Sequence, residues 1–431
     1  MVFEFRLSVL PPTDPLPTDA DTTFFWHSKQ SMPYFHANVG PRLAEYGLVK
    51  NRNVDFVRIA AAVLAADRSA SRSGSLSRWN QRDIALTIDV LAVGPWDGVK
   101  SDLERLLGFL TGDAWSLTFR REVGAPEQLG NAAVGATRAV LLSGGADSAT
   151  GALLSALELA GRSEKQVLVS SWASTNLRPL QTRVADEIER MAKGSTADHI
   201  KVRIARGRHS PSGMAYGREN STRSRSLLFI ALGLAVASVD GLPLWLPENG
   251  YASINPPLSK SRRGSLSTKT THPKFIADLK RVLETVGAHY EVVNPYAAAT
   301  KGEMFSLVSD AIGGAAASAF LSSTSSCSHT GARSYGIGPD VACGVCFGCV
   351  LRKASFAASG LDDGTHYLKP VNDKQRDWLE DKTVVLAMRD FLASPFGESD
   401  LSRLQIPADI PLSDVAKLVE RGREELGHLA L

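Results

Sequence analysis

Hydrophobic and polar positions follow two rhythms along this 431-residue chain. Up to about residue 124 the pattern is mixed. QRDIALTIDVLAV and then WSLTFRREV alternate apolar and polar side chains, which predicts two strands. VKSDLERLLGFLTGD between them has helical spacing with Gly112 as its stop, and VDFVRIAAAVLAADRS predicts a further amphipathic helix. RSASRSGSLSR at 68–78 reads as a Ser/Arg-rich loop, and GAPEQLGNAAVGAT at 124–137 lacks periodicity and reads as a linker. From Thr137 onward the rhythm is regular. The apolar runs RAVLL, QVLVSSW, HIKVRIA, PLWLPEN and HYEVVNPY are separated by helical patterns at 147–160, at 179–192, in SRSLLFIALGLAVASV and in THPKFIADLKRVLETVG. That alternation predicts βαβ units and a parallel sheet. The last 70 or so residues read as helical, with DKQRDWLEDKTVVLAMRDFLA and LSDVAKLVERGREELGHLAL the clearest segments.

Composition narrows the class. With 44% hydrophobic and 22% charged residues, the chain is globular rather than disordered, collagen-like or coiled-coil. The 48 Lys and Arg against 45 Asp and Glu leave a net charge of +3, so nucleic acid is not expected as a partner held by bulk charge; a local basic patch stays open. The longest apolar run, 227–239, is shorter than the about 20 residues that span a bilayer, and MVFEFRLSVLPP lacks a signal-type apolar core. No membrane contact and a cytoplasmic location are expected. The four cysteines all lie from Cys327 onward, three of them in CGVCFGC, which is unlike the spread of a disulfide framework.

The most informative string is LLSGGADSATGALLSALELA. A buried strand runs into Ser143, Gly144, Gly145, Ala146, Asp147 and Ser148, and then into a helix. Adjacent glycines let the backbone turn tightly, the helix N-terminus adds partial positive charge, and Ser143 and Ser148 offer hydroxyl donors. Asp147 can cap the helix or help hold a Mg2+ ion on bound phosphates. A capped turn without ligand is the plainer reading of two glycines and a serine. The whole SGGxDS string between strand and helix favours anion binding, and it is neither a Walker loop nor GxGxxG.

Cys343, Cys346 and Cys349 have CxxCxxC spacing, with Cys327 upstream. Four thiolates from two loops suit tetrahedral Zn2+. A [4Fe–4S] cluster is the alternative, and His329 is a possible substitute ligand. In ENGYASINPPLSKSRRGSLSTKTTHPKF, Glu248, Asn249, Tyr251 and Asn255 offer groups to read a polar heterocycle, while Arg262, Arg263 and Lys269 suit a carboxylate or phosphate, or form a solvated basic loop.

SGGADS after a strand resembles the PP-loop of the N-type ATP pyrophosphatases, which adenylate a substrate and release pyrophosphate. Together with SC...CGVCFGCVLRKASF, in which Arg352 also matches, it resembles the 7-cyano-7-deazaguanine synthase (QueC) family over roughly residues 137–358. The resemblance implies an α/β fold, a HUP-like parallel sheet with helices on both faces, binding ATP with Mg2+ across the ends of its first and fourth strands. It implies Ser170, Ser171 and Trp172 near adenine, Arg225 and Lys301 stabilising charge beside Asp147, and Zn2+ on the four cysteines. The family's GYPDCR-type stretch is absent here. The long leader and ENGYASINPP look more like the QueC-like proteins of anti-phage operons, the QatC group. The expected layout is an N-terminal α/β domain at 1–130, for partner or substrate docking, an ATP pyrophosphatase domain at 131–320, a cysteine segment at 321–358 and a helical region at 359–431. The implied reaction adenylates the carboxylate of a 7-deazaguanine acid (7-carboxy-7-deazaguanine) and passes it to an amine, either ammonia or a partner protein from the same operon; a homodimer is compatible with it. A PP-loop enzyme that modifies tRNA and a non-enzymatic nucleotide-binding scaffold are the rival readings.

Overall fold

Alternating and continuous apolar runs become two parallel sheets. The computed structural model describes residues 2–10, 13–26, 35–37, 49–72, 81–122, 135–172, 177–219, 223–256, 269–329, 335, 337–338, 340–382 and 384–429. Strand β1 (Val2–Ser8) lies between β2 (Thr23–Phe25) and β4 (Asp83–Val90), and β5 (Ala114–Arg121) closes the far edge, all parallel. β5 alternates as its sequence requires, with Trp115, Leu117 and Phe119 buried and their neighbours exposed. The helix Lys100–Thr111 that precedes it ends on Gly112 in the left-handed conformation.

The second sheet has six strands in the order β10 (Val292–Val293), β9 (Leu244–Trp245), β6 (Arg138–Leu141), β7 (Gln166–Trp172), β8 (Thr196–Arg206) and β3 (Phe35–Ala37). Five of these are parallel, and β3 adds antiparallel at the β8 edge. β6 and β7 are buried on both faces, as helix-covered parallel strands are. The α/β class and the parallel pairing after Thr137 are therefore present as expected, as are helices on the flanks. β9 and β10 are much shorter than PLWLPEN and HYEVVNPY suggested. The long helical pattern at 373–393 is two helices, Asp373–Glu380 and Val384–Ala393.

The first 122 residues and the second sheet share one hydrophobic core, which runs from Leu7 to Val292. Helix Asn51–Ser69 explains why. It is buried nearly all round, with one side on β1 and β4 and the other on helix Arg225–Asp240, which covers β6 and β7. Asn53 locks this arrangement through two bonds to the His289 backbone, at 2.8 and 3.0 Å. The rest of the Ser/Arg-rich loop (73–80), most of the linker (123–134) and the basic stretch 257–268 with Arg262 and Arg263 lie outside the described residues. Among the described residues, no helix is long and apolar enough to cross a membrane.

Candidate functional site

Counted from β6, the parallel strands of the large sheet run third, second, first, fourth, fifth across it, so their order reverses between β6 and β9. Two chain segments leaving the carboxyl ends of adjacent strands diverge there and open a crevice. A cavity of about 440 Å³ occupies that position. Its walls include Ser143, Gly145, Ala146, Asp147 and Ser148 from the loop after β6, and Glu248, Asn249 and Asn255 from the segment after β9. Lys301, at the start of helix Lys301–Ile312, also lines it.

The loop after β6 is held by its own serines. Ser143 and Ser148 hydroxyls pair at 2.9 Å, the Ser143 amide donates to Ser148 Oγ at 3.1 Å, and the Gly145 amide donates to Ser143 Oγ at 3.2 Å. Gly144 has φ +87°, where a side chain would be strained and would press on Leu180. It therefore shapes the loop from behind rather than lining the cavity.

Charge converges on Asp147, in the first turn of helix Ala146–Ala160. Lys301 Nζ donates to its Oδ2 at 2.7 Å and Asn249 Nδ2 at 3.3 Å. Lys301 is only 4% exposed and sits at a helix N-terminus, where the helix dipole opposes a cation, so Asp147 is what makes its charge tolerable. The Glu248 carboxyl adjoins Asp147 in turn. Burial, and then the Asp147 charge, push Glu248 well above the ordinary value. Burial alone would raise Asp147 too, but the Lys301 charge and bonds from Glu248, Lys301 and Asn249 hold it below the ordinary value. Glu248 therefore keeps its proton to higher pH than Asp147 does, the two carboxyls being pushed apart by their contact and by the Lys301 bond to Asp147. Asn249 is fixed by capping helix Gly250–Ile254, its Oδ1 accepting from the Ala252 amide at 2.8 Å.

The four cysteines form a second, buried group next to this cavity. Their sulfurs all lie within 4.8 Å of one another, and the set can hold a metal ion such as zinc. Amides of Ser328 and His329 point at Cys346 and Cys327 sulfurs at 3.4 Å, and those of Cys343 and Cys346 point at Cys327 and Cys343 at 3.3 Å. Such N–H donors favour thiolates. Gly344, at φ +80°, makes the tight turn between Cys343 and Cys346. His329 is not in the sulfur group; its ring meets Trp378 edge-on at 5.1 Å. Arg352 is buried and clamps the loop before Cys327, donating to Thr324 Oγ1 at 2.9 Å and to the Leu321 carbonyl. From that loop the Ser325 amide donates to the Gly144 carbonyl at 3.0 Å. The cysteine group therefore braces the glycine loop.

Several sequence candidates lie elsewhere. Ser170 is fully buried, donating to the Leu142 carbonyl at 2.6 Å and pairing with His199 Nε2 at 2.8 Å; burial holds that imidazole neutral, near 4. The Ser171 carbonyl accepts from Gln181 Nε2 at 3.1 Å. Both tie strand ends together. Tyr251 is 1% exposed and stacks on Gly422, away from the cavity walls. Arg225 is not among the cavity's walls; the helix it opens is turned toward Asp67 and Arg68 of helix Asn51–Ser69. Sequence reasoning missed Thr270, Thr271, Ser326, Ser328, Phe347 and Gly348, which also line the cavity. Four of these adjoin the cysteines in sequence, so the metal motif was the signal that pointed to them.

No family model matches the chain, and no curated protein or solved structure matches it either.

Proposed function

We propose that the protein is an ATP-dependent, QueC-like enzyme that adenylates the carboxylate of a 7-deazaguanine acid, releases pyrophosphate, and passes the acyl group to an amine. The observation that carries this reading is the convergence of the SGGADS loop, the Asp147–Lys301–Glu248 charges and the cysteine-braced segment on one cavity at the strand-order reversal. Loop amides and the helix N-terminus suit phosphates, and Lys301 is placed to offset charge growing at the α-phosphate once Asp147 turns to other partners.

Mg2+ fits the carboxyl pair. Asp147 Oδ1 is buried and receives no N–H donor, and a divalent cation there would also relieve the contact that pushes the adjoining Glu248 carboxyl upward. Mg2+ is ordinarily held by one or two carboxylates plus substrate phosphates; Asp147 and Glu248 would hold it here, and it would supply charge neutralisation on the phosphates. Zn2+ fits the cysteines. Four sulfurs about 2.3 Å from one ion sit about 3.8 Å apart, and Cys343 and Cys349 sulfurs are 3.8 Å apart. Separations under 4.8 Å also suit one ion better than a four-iron cube, which spreads its ligands. A closed sulfur shell makes the metal structural.

In the reaction, the substrate carboxylate attacks the α-phosphorus and pyrophosphate leaves. The amine then attacks the acyl carbon, AMP leaves and the amine loses its proton. Asn249 and Asn255, which line the cavity, would orient the heterocycle, and Ser143 and Ser148 the phosphates. Incubation with ATP, 7-carboxy-7-deazaguanine and ammonia, read by mass spectrometry, tests the reading. The amide with AMP, or the acyl-adenylate when ammonia is not the acceptor, is expected; an unchanged acid with no acyl-adenylate and no pyrophosphate overturns it.

A further inference from the structure

Four arginines meet where helix Asn51–Ser69 ends against the crossover between β8 and helix Arg225–Asp240. The backbone puts them there. The Glu219 amide donates to the Arg68 carbonyl at 2.9 Å, and Gly217 lies so close against the Ser69 carbonyl that a Cβ would collide with it, which seats Arg218 beside Arg68. Arg206, at the end of β8, reaches the Gly217 carbonyl at 3.1 Å and lies over the Tyr216 ring at 4.8 Å. The Arg223 and Ser224 amides bond Asp67 Oδ2 at 2.9 and 3.0 Å, which brings Arg225 to the same end of the helix.

Among the described residues, no carboxylate makes an ion pair with Arg68, Arg206, Arg218 or Arg225. Asp67 is the nearest acid in sequence, but its oxygens already serve Arg82, Arg223 and Ser224. Glu219 accepts from the Arg72 amide at 2.7 Å. Arg206 Nε is buried with no hydrogen-bond partner. Arg218 and Arg225 are reached by solvent. A protein seldom gathers four guanidinium groups without a counter-charge, because each raises the cost of the others. Burial, followed by the neighbouring arginine charge, holds Arg68 and Arg206 below the ordinary arginine value, Arg206 at about 10.

We infer that Arg68, Arg206, Arg218 and Arg225 form an anion site, separate from the cavity after β6, for a ligand carrying clustered phosphate charge. Guanidinium forks match phosphate oxygens in pairs.

The test is calorimetric titration of the full chain with inorganic pyrophosphate, for wild type and for Arg218→Gln, Arg225→Gln and Lys301→Gln. Loss of one charge-assisted bond should weaken binding about tenfold in each arginine variant, while Lys301→Gln keeps one pyrophosphate site. The same affinity in both arginine variants as in wild type, with all binding lost in Lys301→Gln, overturns the inference. Melting curves give a second readout. At low salt Arg218→Gln should melt no lower than wild type, since a like charge is removed, yet it should lose the pyrophosphate-dependent rise; a lower melt with the full rise retained contradicts an anion site. Competition by a short single-stranded RNA then separates the phosphate sources. Displacement that steepens with falling salt assigns the site to a nucleic-acid backbone, and no displacement assigns it to a free phosphate compound.

Discussion

Two buried sets of ionised side chains, one beside the four-stranded sheet and one at the carboxyl edge of the six-stranded sheet, are built on opposite plans. In the first, the side chain of Arg82 is wholly buried, with Asp67 at 2.6 Å and Asp113 at 2.5 Å. Its remaining donors reach the carbonyls of Asp67 and Ala70, and Arg72 adds a second cation on Asp113. All of its donors are taken. In the second, two carboxyl groups face one lysine and an open cavity. A set that closes on itself holds elements together, whereas a set left one positive charge short, facing a crevice, is ready for a ligand.

The largest effect expected from breaking this contrast is in the closed set. Arg82→Met leaves buried Asp67 without its ion-pair partner and Asp113 with Arg72 alone, so it should cost about 3–5 kcal/mol of stability, read from denaturant midpoints. A loss no bigger than that of an exposed pair would show the network to be slack. Next comes the cysteine group. Purified protein should carry one zinc per chain by elemental analysis, and Cys346→Ser, or a strong chelator, should lower the melting temperature and loosen the glycine loop through Ser325. Iron instead of zinc would contradict the closed tetrahedral assignment.

The smallest effect sharpens the open set. Glu248 binds its proton more tightly folded than unfolded, so the unfolded chain carries fewer protons above the ordinary glutamate value of 4.5, and stability falls as pH rises from there. Asp147 acts in the opposite sense, contributing stability that is lost only as pH drops through its lowered value. Glu248→Gln should therefore gain melting temperature relative to wild type as pH rises above 4.5, and Mg2+ with ATP should shrink the gain. A difference that is flat with pH would mean that folding does not raise Glu248.

Local pattern carried much of this. QVLVSSW is β7 residue for residue, SGGADS lies on the cavity, and the four cysteines converge. What it could not carry was pairing at a distance. Nothing in Phe35–Ala37 announces that it will add antiparallel to β8, because edge pairing depends on a partner over a hundred residues away. The single core across the expected boundary near residue 130 escaped for a like reason: VDFVRIAAAVLAADRS was read as one-faced, while both of its faces are covered. Arg225 was expected beside Asp147 from the resemblance alone, and the helix it opens instead meets Asp67, a contact over 150 residues away in sequence that no local pattern announces. Helix Lys301–Ile312 did carry a local signal, the capping box of Thr300 and Glu303, which periodicity alone overlooks.

The central claim is that the cavity after β6 splits ATP between its α- and β-phosphates. The direct measurement follows α-labelled ATP in the presence of Mg2+ and 7-carboxy-7-deazaguanine, for wild type and Asp147→Asn. The account predicts acid-dependent release of pyrophosphate with label in the adenylate or AMP, slowed about 10²–10³-fold in Asp147→Asn at a temperature below that variant's melting transition, which falls because Lys301 loses its counter-charge. Label appearing in ADP, or an unchanged rate in Asp147→Asn, would contradict it.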